Sequence, residues 1–205
     1  MKAVLEQLKE RGILKSPSII RAFEAVDRAG FVKPEFITDA GLNEPLPIGF
    51  GQTISQPLTV AFMLELLQPQ PGQKVLDVGS GSAWTTALLA EIVGLNGKVY
   101  GIERIPQLKS FGEANLKRAG YSNIELVAGD GARGLSEFAP FDRIQVAAAA
   151  GEVPPALLEQ LAVGGRLVIP LGEYVQDVTL IEKQARGDYR EQRFPGFQFV
   201  PLVTE

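Results

Sequence analysis

From Gln73 to Gly172 the sequence alternates short apolar runs with stretches of helical periodicity, a rhythm that few folds accommodate. The runs are KVLDVG (74–79), KVYGIE (98–103), IELVAG (124–129), DRIQVAAA (142–149) and GRLVIPLG (165–172). Helical patterns fill the gaps at Trp84 to Val93, Ile105 to Ala119 and about Pro155 to Leu161. A strand buried on both faces reads as a near-continuous apolar run, and such strands separated by helices make βαβ units and a parallel sheet. The pattern predicts a doubly wound α/β domain with a mostly parallel sheet. At 205 residues the chain is one domain, with 71–205 as its core.

The two ends break the rhythm. Val4, Leu5 and Leu8 share a helix face before Gly12, and Ser16-Pro17 opens a second pattern through Ile19, Ile20, Phe23 and Val26. A third helix carries Val60, Leu64 and Leu67 and stops before Pro69, so residues 1–70 form a helical cover. Between the second and third helices, Gly30 to Gly51 holds Pro34, Pro45 and Pro47 with further glycines, which predicts an ordered surface loop. At the other end, Val178–Glu182 and Tyr189–Phe194 bracket 185–188 as an antiparallel hairpin, with Phe197 to Leu202 extending that edge.

Two zeros in the composition remove whole classes of chemistry. With no Cys and no His, thiol nucleophiles, disulfides, Ser-His-Asp triads and nearly all zinc sites are excluded, and no metal is expected. The net charge of −4 is not the basic footprint of a nucleic-acid binder. The charged N-terminus MKAVLEQLKERGILK does not read as a signal peptide, and no apolar run approaches a membrane span. The expectation is a cytoplasmic monomer that engages neither nucleic acid nor membrane.

Asp77-Val-Gly79-Ser80-Gly81-Ser82-Ala83-Trp84 ends the first strong strand and opens the first strong helix, where an open parallel sheet binds its ligand. The third glycine of a dinucleotide fingerprint would fall at 84, which is Trp, and no Gly-Lys-Ser/Thr follows for a phosphate loop. Glu103 ends the second strand, placed to accept hydrogen bonds from ribose hydroxyls, and Asp130 ends the third, next to Gly131. Three carboxylates at neighbouring strand ends predict an anionic crevice, wrong for a pyrophosphate and right for the sulfonium and ammonium of S-adenosylmethionine. Each feature has a plain alternative: a tight turn at Gly79 and Gly81, a solvated strand end at Glu103, and a cap or turn at Asp130-Gly131. Trp84, the only tryptophan, reads as core packing.

Just before the third helix stands Gly49-Phe-Gly-Gln-Thr53-Ile54-Ser55-Gln56-Pro57. Proline at the first helical position would make Gln56 the cap and free the Ser55 hydroxyl, whereas a cap at Ser55 would consume it. Helix physics leaves both open.

The segments GQTISQP, LDVGSGS, GIERI, GDG with Phe141-Asp142, VAAAAGEVPPALLEQLAVGGRLVIPLG and FVPLV together resemble the protein-L-isoaspartate O-methyltransferases, from the Phe31-Val32 region to Val203. The resemblance implies a class I, Rossmann-like methyltransferase that moves a methyl group from S-adenosylmethionine, leaving S-adenosylhomocysteine. The acceptor it implies is the free α-carboxylate of L-isoaspartyl residues in damaged proteins and peptides. It further implies that Ser55 is the active-site serine and that Asp77, Gly79, Ser80, Gly81 and Ser82 form the donor loop. Glu103 would hold the ribose with Arg104 beside it, and Asp130 and Gly131 would border the adenine. Thr53, Ile54, Ala148 and Ala149 would line the substrate side, with the segment from Pro201 to Val203 closing the site. Two positions depart from the family pattern: Ala83 replaces a third glycine and Gly151 replaces a proline. The departures keep a neighbouring reading open, a methyltransferase of this fold acting on another carboxylate; a non-catalytic S-adenosylmethionine-binding module is the other alternative.

A missing histidine suits this chemistry. A free α-carboxyl with a pKa of about 3.3 to 3.7 is already ionised at neutral pH, so no base is required.

Overall fold

The computed structural model describes residues 1–203. Three helices, α1 (Lys2–Glu10), α2 (Pro17–Ala25) and α3 (Pro57–Leu67), precede the alternating part. A small hairpin of β1 (Leu46–Gly49) and β2 (Gln52–Ile54) lies between α2 and α3. The alternating part runs β3 (Lys74–Val78), α4 (Trp84–Val93), β4 (Lys98–Glu103), α5 (Pro106–Ala119), β5 (Ile124–Ala128), β6 (Phe141–Val146), α6 (Pro155–Gln160) and β7 (Leu161–Leu171). The antiparallel strands β8 (Gln176–Lys183) and β9 (Tyr189–Phe197) finish the sheet.

Seven strands lie in the order β5-β4-β3-β6-β7-β8-β9. Pairing is parallel from β5 to β7 and antiparallel from β7 to β9. The chain leaves β3 toward β4 on one side and returns to β6 on the other, so the strand order reverses beside β3. A crevice opens at such a reversal, outside the carboxyl ends of the strands.

Alternation of side chains divides the core into two. Val75, Val99 and Val168 face a large cluster with α1 to α5, whereas Leu76, Val78, Ile144 and Ile169 face a smaller one closed by Leu157 of α6, Leu135 and Phe141. Trp84, 1% exposed, meets Phe23 edge to face at 5.6 Å, so its role is packing, as its place on an apolar helix face predicted.

Two expectations need correction. The stretch from Gly30 to Gly51 is not merely a surface loop: it contains β1 and a short 3-10 turn, and it buries Val32, Ala40, Leu46 and Ile48. Its prolines and glycines mark turns, but carbonyls of the same stretch are gripped from inside by a buried arginine described below. The second correction concerns the end of the chain. After Phe197 the backbone leaves the sheet edge and returns beside the segment following β6, where the Ala149 N–H donates to the Val200 carbonyl (2.8 Å) and the Leu202 N–H to the Ala149 carbonyl (2.7 Å). Pro195 and Gly196 coincide with a register shift near the end of β9, where Val178 pairs with Phe194 and Gln176 with Phe197, and beyond Phe197 the tail folds over the crevice, with Pro201 bridging to Ala149.

Candidate active site

The turn after β3 is built to bring backbone close to a ligand. Gly79 (φ +78°) and Gly81 (φ +52°) lie in the left-handed region, and a Cβ on Gly81 would stand 3.1 Å from Ile48 Cδ1. The N–H groups of Gly79 and Ser80 both donate to the Ile102 carbonyl, at 2.9 and 3.2 Å. Ala83 also has positive φ (+68°), the less favourable sign for its departure from glycine. Its methyl points away from the crevice toward Gly112 of α5, where an added Cβ would sit 3.2 Å from it, so it does not obstruct the ligand side.

Helix α5 clamps this turn from behind. Gly112 lets the helix approach, since a Cβ there would lie 3.0 Å from the Gly81 carbonyl oxygen. Three residues on, Asn115 Nδ2 donates to the Ser82 carbonyl at 2.9 Å. Neither residue stood out in the sequence, although an isolated glycine inside a helical pattern is a signal that could have found the contact.

Glu103, 6% exposed, accepts the Gly81 N–H on Oε2 (2.8 Å) and the Ile105 N–H on Oε1 (2.9 Å). Both oxygens keep lone-pair capacity for a diol. Asp77 lies deeper. It is fully buried, takes a 2.6 Å hydrogen bond from Thr86 Oγ1, and leaves Oδ1 without a partner. Burial above all, with Glu103 nearby, pushes its carboxyl up to about 6 despite the Thr86 bond. Asp130 caps the turn that follows it, accepting the Ala132 N–H at 3.0 Å. Of the three strand-end carboxylates, only Glu103 reaches the wall of the crevice.

That wall is contributed by several regions of the chain. The turn supplies Gly79 to Ser82; β4 and its sequel supply Glu103, Arg104 and Leu108; Gly131 forms the floor; and Ile48, Thr53, Ile54 and Ser55 face them. Ala147, Ala148 and the tail from Val200 to Val203 close the remaining side. Ala149 instead lines a separate apolar hollow with Gly151 and Pro154. The space is narrow: about 760 Å³ when the open solvent at its mouth is counted, and far less within its walls. Ser80 Oγ and Arg104 Nη1, on two residues of this wall, are buried without hydrogen-bond partners.

The serine question is settled by α3. Gln56 is the cap residue and Pro57 the first helical position, while the Leu58 N–H is capped from outside by Asn43 Oδ1 at 2.9 Å. The Ser55 hydroxyl is thereby left out of helix bonding. Thr53, Ser55, Ala147 and Val200 border both the crevice and a wider neighbouring groove that runs past Glu173, Tyr174 and Phe197. The arrangement is a narrow compartment and a broad open one that meet at a serine.

Among the described residues no cluster of His, Cys, Asp and Glu could hold a metal ion, and no helix is long and apolar enough to cross a membrane.

Comparison with known proteins gives a consistent result. The family model described as protein-L-isoaspartate(D-aspartate) O-methyltransferase matches residues 1–205. A protein-L-isoaspartate O-methyltransferase of Aeropyrum pernix is 50% identical over 98% of this chain and 78% of its own length. That of Methanopyrus kandleri is 46% identical over 98% and 90%. Among solved structures, a Plasmodium falciparum protein of this description in complex with S-adenosyl-L-homocysteine superposes with a TM-score of 0.88 at 31% identity, covering 98% of this chain and 97% of that one.

Proposed function

The chain belongs to the protein-L-isoaspartate O-methyltransferase family, and from that premise we propose how its site repairs damaged proteins: S-adenosylmethionine occupies the narrow compartment and an isoaspartyl segment the open groove, with Ser55 where they meet. The observation that carries this division is that Ser55 borders both spaces while its hydroxyl is spared from capping α3. An open groove suits an acceptor that is part of a polypeptide.

The residues present fit the donor. Glu103 would accept from the ribose hydroxyls, Ser80 Oγ and Arg104 Nη1 would gain their missing partners, and the buried Asp77 would lend negative potential beneath the turn. Asp130 would act indirectly, by fixing the turn that places Gly131. When bound, the donor supplies an electrophilic methyl whose S–C bond breaks as the O–C bond of the ester forms. The protein's part is alignment. The Ser55 hydroxyl orients the carboxylate oxygen without transferring a proton, and Thr53, Ala148 and the tail at 200–203 keep water out of the junction. Holding two reactants in attack geometry can be worth about 7 to 11 kcal/mol.

The experiment is methyl transfer from labelled donor to matched isoaspartyl and aspartyl peptides, with the ester identified by methanol release in mild base. Transfer to the isoaspartyl peptide alone is expected; equal rates would exclude the repair reading. For Ser55→Ala the expected outcome is lower kcat with donor affinity unchanged, and a loss of donor affinity would reassign the serine to donor binding or folding.

A further inference from the structure

One charged group in the interior takes no part in the mechanism above. Arg28 opens the short turn Arg28–Phe31 and is 0% exposed. Among the described residues no carboxylate pairs with it. Its guanidinium instead gathers five backbone carbonyls: Nη1 donates to Ala40 (3.1 Å) and Leu42 (3.3 Å), and Nη2 to Glu44 (2.8 Å), Ile54 (3.3 Å) and Ser55 (3.1 Å). Burial lowers its pKa to about 10, which leaves it cationic at neutral pH.

A buried cation without a counter-ion is an expensive way to fill space, and apolar residues of similar volume often serve stability equally well. What the fork does here, and an apolar side chain could not, is fix carbonyl directions. Two of the five belong to the peptide groups on either side of Ser55, so the backbone presenting the hydroxyl is held on both flanks. The same guanidinium lies 5.4 Å from the ring centroid of Trp84, the first residue of α4 and a wall residue of the donor compartment. One side chain thus touches the acceptor segment and the helix that follows the donor turn.

We propose that Arg28 is a positioning residue for methyl transfer, acting through Ser55 by fixing its backbone relative to the donor turn. The proposal rests on the reading of Ser55 given above. Lysine in its place keeps the charge but offers three donors on a single nitrogen and loses the planar fork, so it cannot hold five carbonyls in fixed directions.

The test combines Arg28→Lys and Arg28→Met with Ser55→Ala, each variant first shown to be folded by circular dichroism. For Arg28→Lys we expect donor affinity within about twofold of the parent and kcat lower by about 10- to 100-fold, as for a reacting group displaced by a fraction of an ångström. In the Ser55→Ala background the same substitution should cost less than about threefold, because residues acting through one another are not additive. A general structural role predicts equal losses in both backgrounds and would overturn the proposal, as would an unchanged kcat or a loss confined to donor affinity. If both Arg28 variants fail to fold, the guanidinium is a requirement of the fold and the positioning role is rejected. Failure of the Ser55 reading itself looks different: Ser55→Ala alone would then leave kcat unaltered.

Discussion

Asp77 makes the stability of this protein depend on pH in an unusual direction. Most native carboxylates are held below their ordinary pKa, so acid destabilises; here burial raises the carboxyl from 3.8 to about 6. The folded protein therefore holds this proton more tightly than the unfolded chain. Asp77 favours folding fully only below the ordinary value, and that contribution disappears as pH climbs through 6. At 1.36 kcal/mol per pH unit the full difference is about 3 kcal/mol. Between about pH 4.5 and about pH 8, a range in which unfolding can be measured, about 2 kcal/mol of it should be lost. Asp77→Asn removes the titration while its amide oxygen can still accept from Thr86, and any packing cost it adds is the same at both pH values. Urea unfolding of parent and variant without donor, followed by circular dichroism at the two pH values, isolates the effect: stabilisation of the variant relative to the parent should be about 2 kcal/mol larger at the higher pH. Parallel pH dependences of the two proteins would refute the reasoning, for they would mean that water or a rearranged partner already solvates Oδ1.

Three further outcomes follow from the same geometry. Gly131→Ala would place a Cβ 2.4 Å from Val78 Cγ1, so a stability loss of about 1 to 3 kcal/mol and weaker donor binding are expected; an unchanged Tm in a thermal melt counts against the tight floor. Glu103→Gln leaves one side-chain oxygen for two backbone N–H donors, at a cost of about 1 to 3 kcal/mol, and should raise the donor Kd by about tenfold or more in calorimetry; an unaltered Kd would remove Glu103 from the ribose. Gly151 is exposed, has open space where a Cβ would stand and does not have positive φ, so Gly151→Pro should stabilise by about 0.4 to 1 kcal/mol with kcat preserved, whereas destabilisation would place its backbone outside the range of proline.

The sheet was legible in the sequence because its signal is local. Strands β3 to β6 and the second half of β7 are short apolar runs, whereas β7 begins at Leu161, four residues before its run, and α4 from Trp84 to Val93 shows its helical pattern within its own ten residues. The same holds for the Gly79–Gly81 turn, whose glycines are required by positive φ. Illegible parts depend on partners far along the chain. Carbonyls at 40, 42, 44, 54 and 55 are gathered by Arg28, 12 to 27 residues away, and the tail at 200–202 leaves the hairpin to meet Ala149 about fifty residues earlier. The carboxylates illustrate the limit within one motif. Asp77, Glu103 and Asp130 all stand at strand ends, but alternation turns Asp77 toward Thr86 beneath α4 and the cap geometry turns Asp130 toward its own turn, so only Glu103 meets the crevice. At Ala83 the sequence left the sign of φ open, and the outcome depends on Gly112, a residue 29 positions later.

Separate frames hold the two halves of the site. The turn at 79–82, proposed to hold the donor, is fixed from behind by α5 through Gly112 and Asn115 and from the side by Glu103. The segment at 53–55, proposed to face the acceptor, is fixed by β1–β2 pairing, by Asn43 at the start of α3 and by Arg28. Neither frame contains a group that must change protonation during methyl transfer to an ionised carboxylate, so the reaction depends on the distance between frames. Trp84 bridges them: it lines the donor compartment, opens α4 and lies under the guanidinium that grips Ser55. A protein without histidine or cysteine can catalyse this transfer because its acceptor is already ionised, and the groups that hold the backbone of the two frames are mostly glycines, an amide and a buried cation rather than acids and bases.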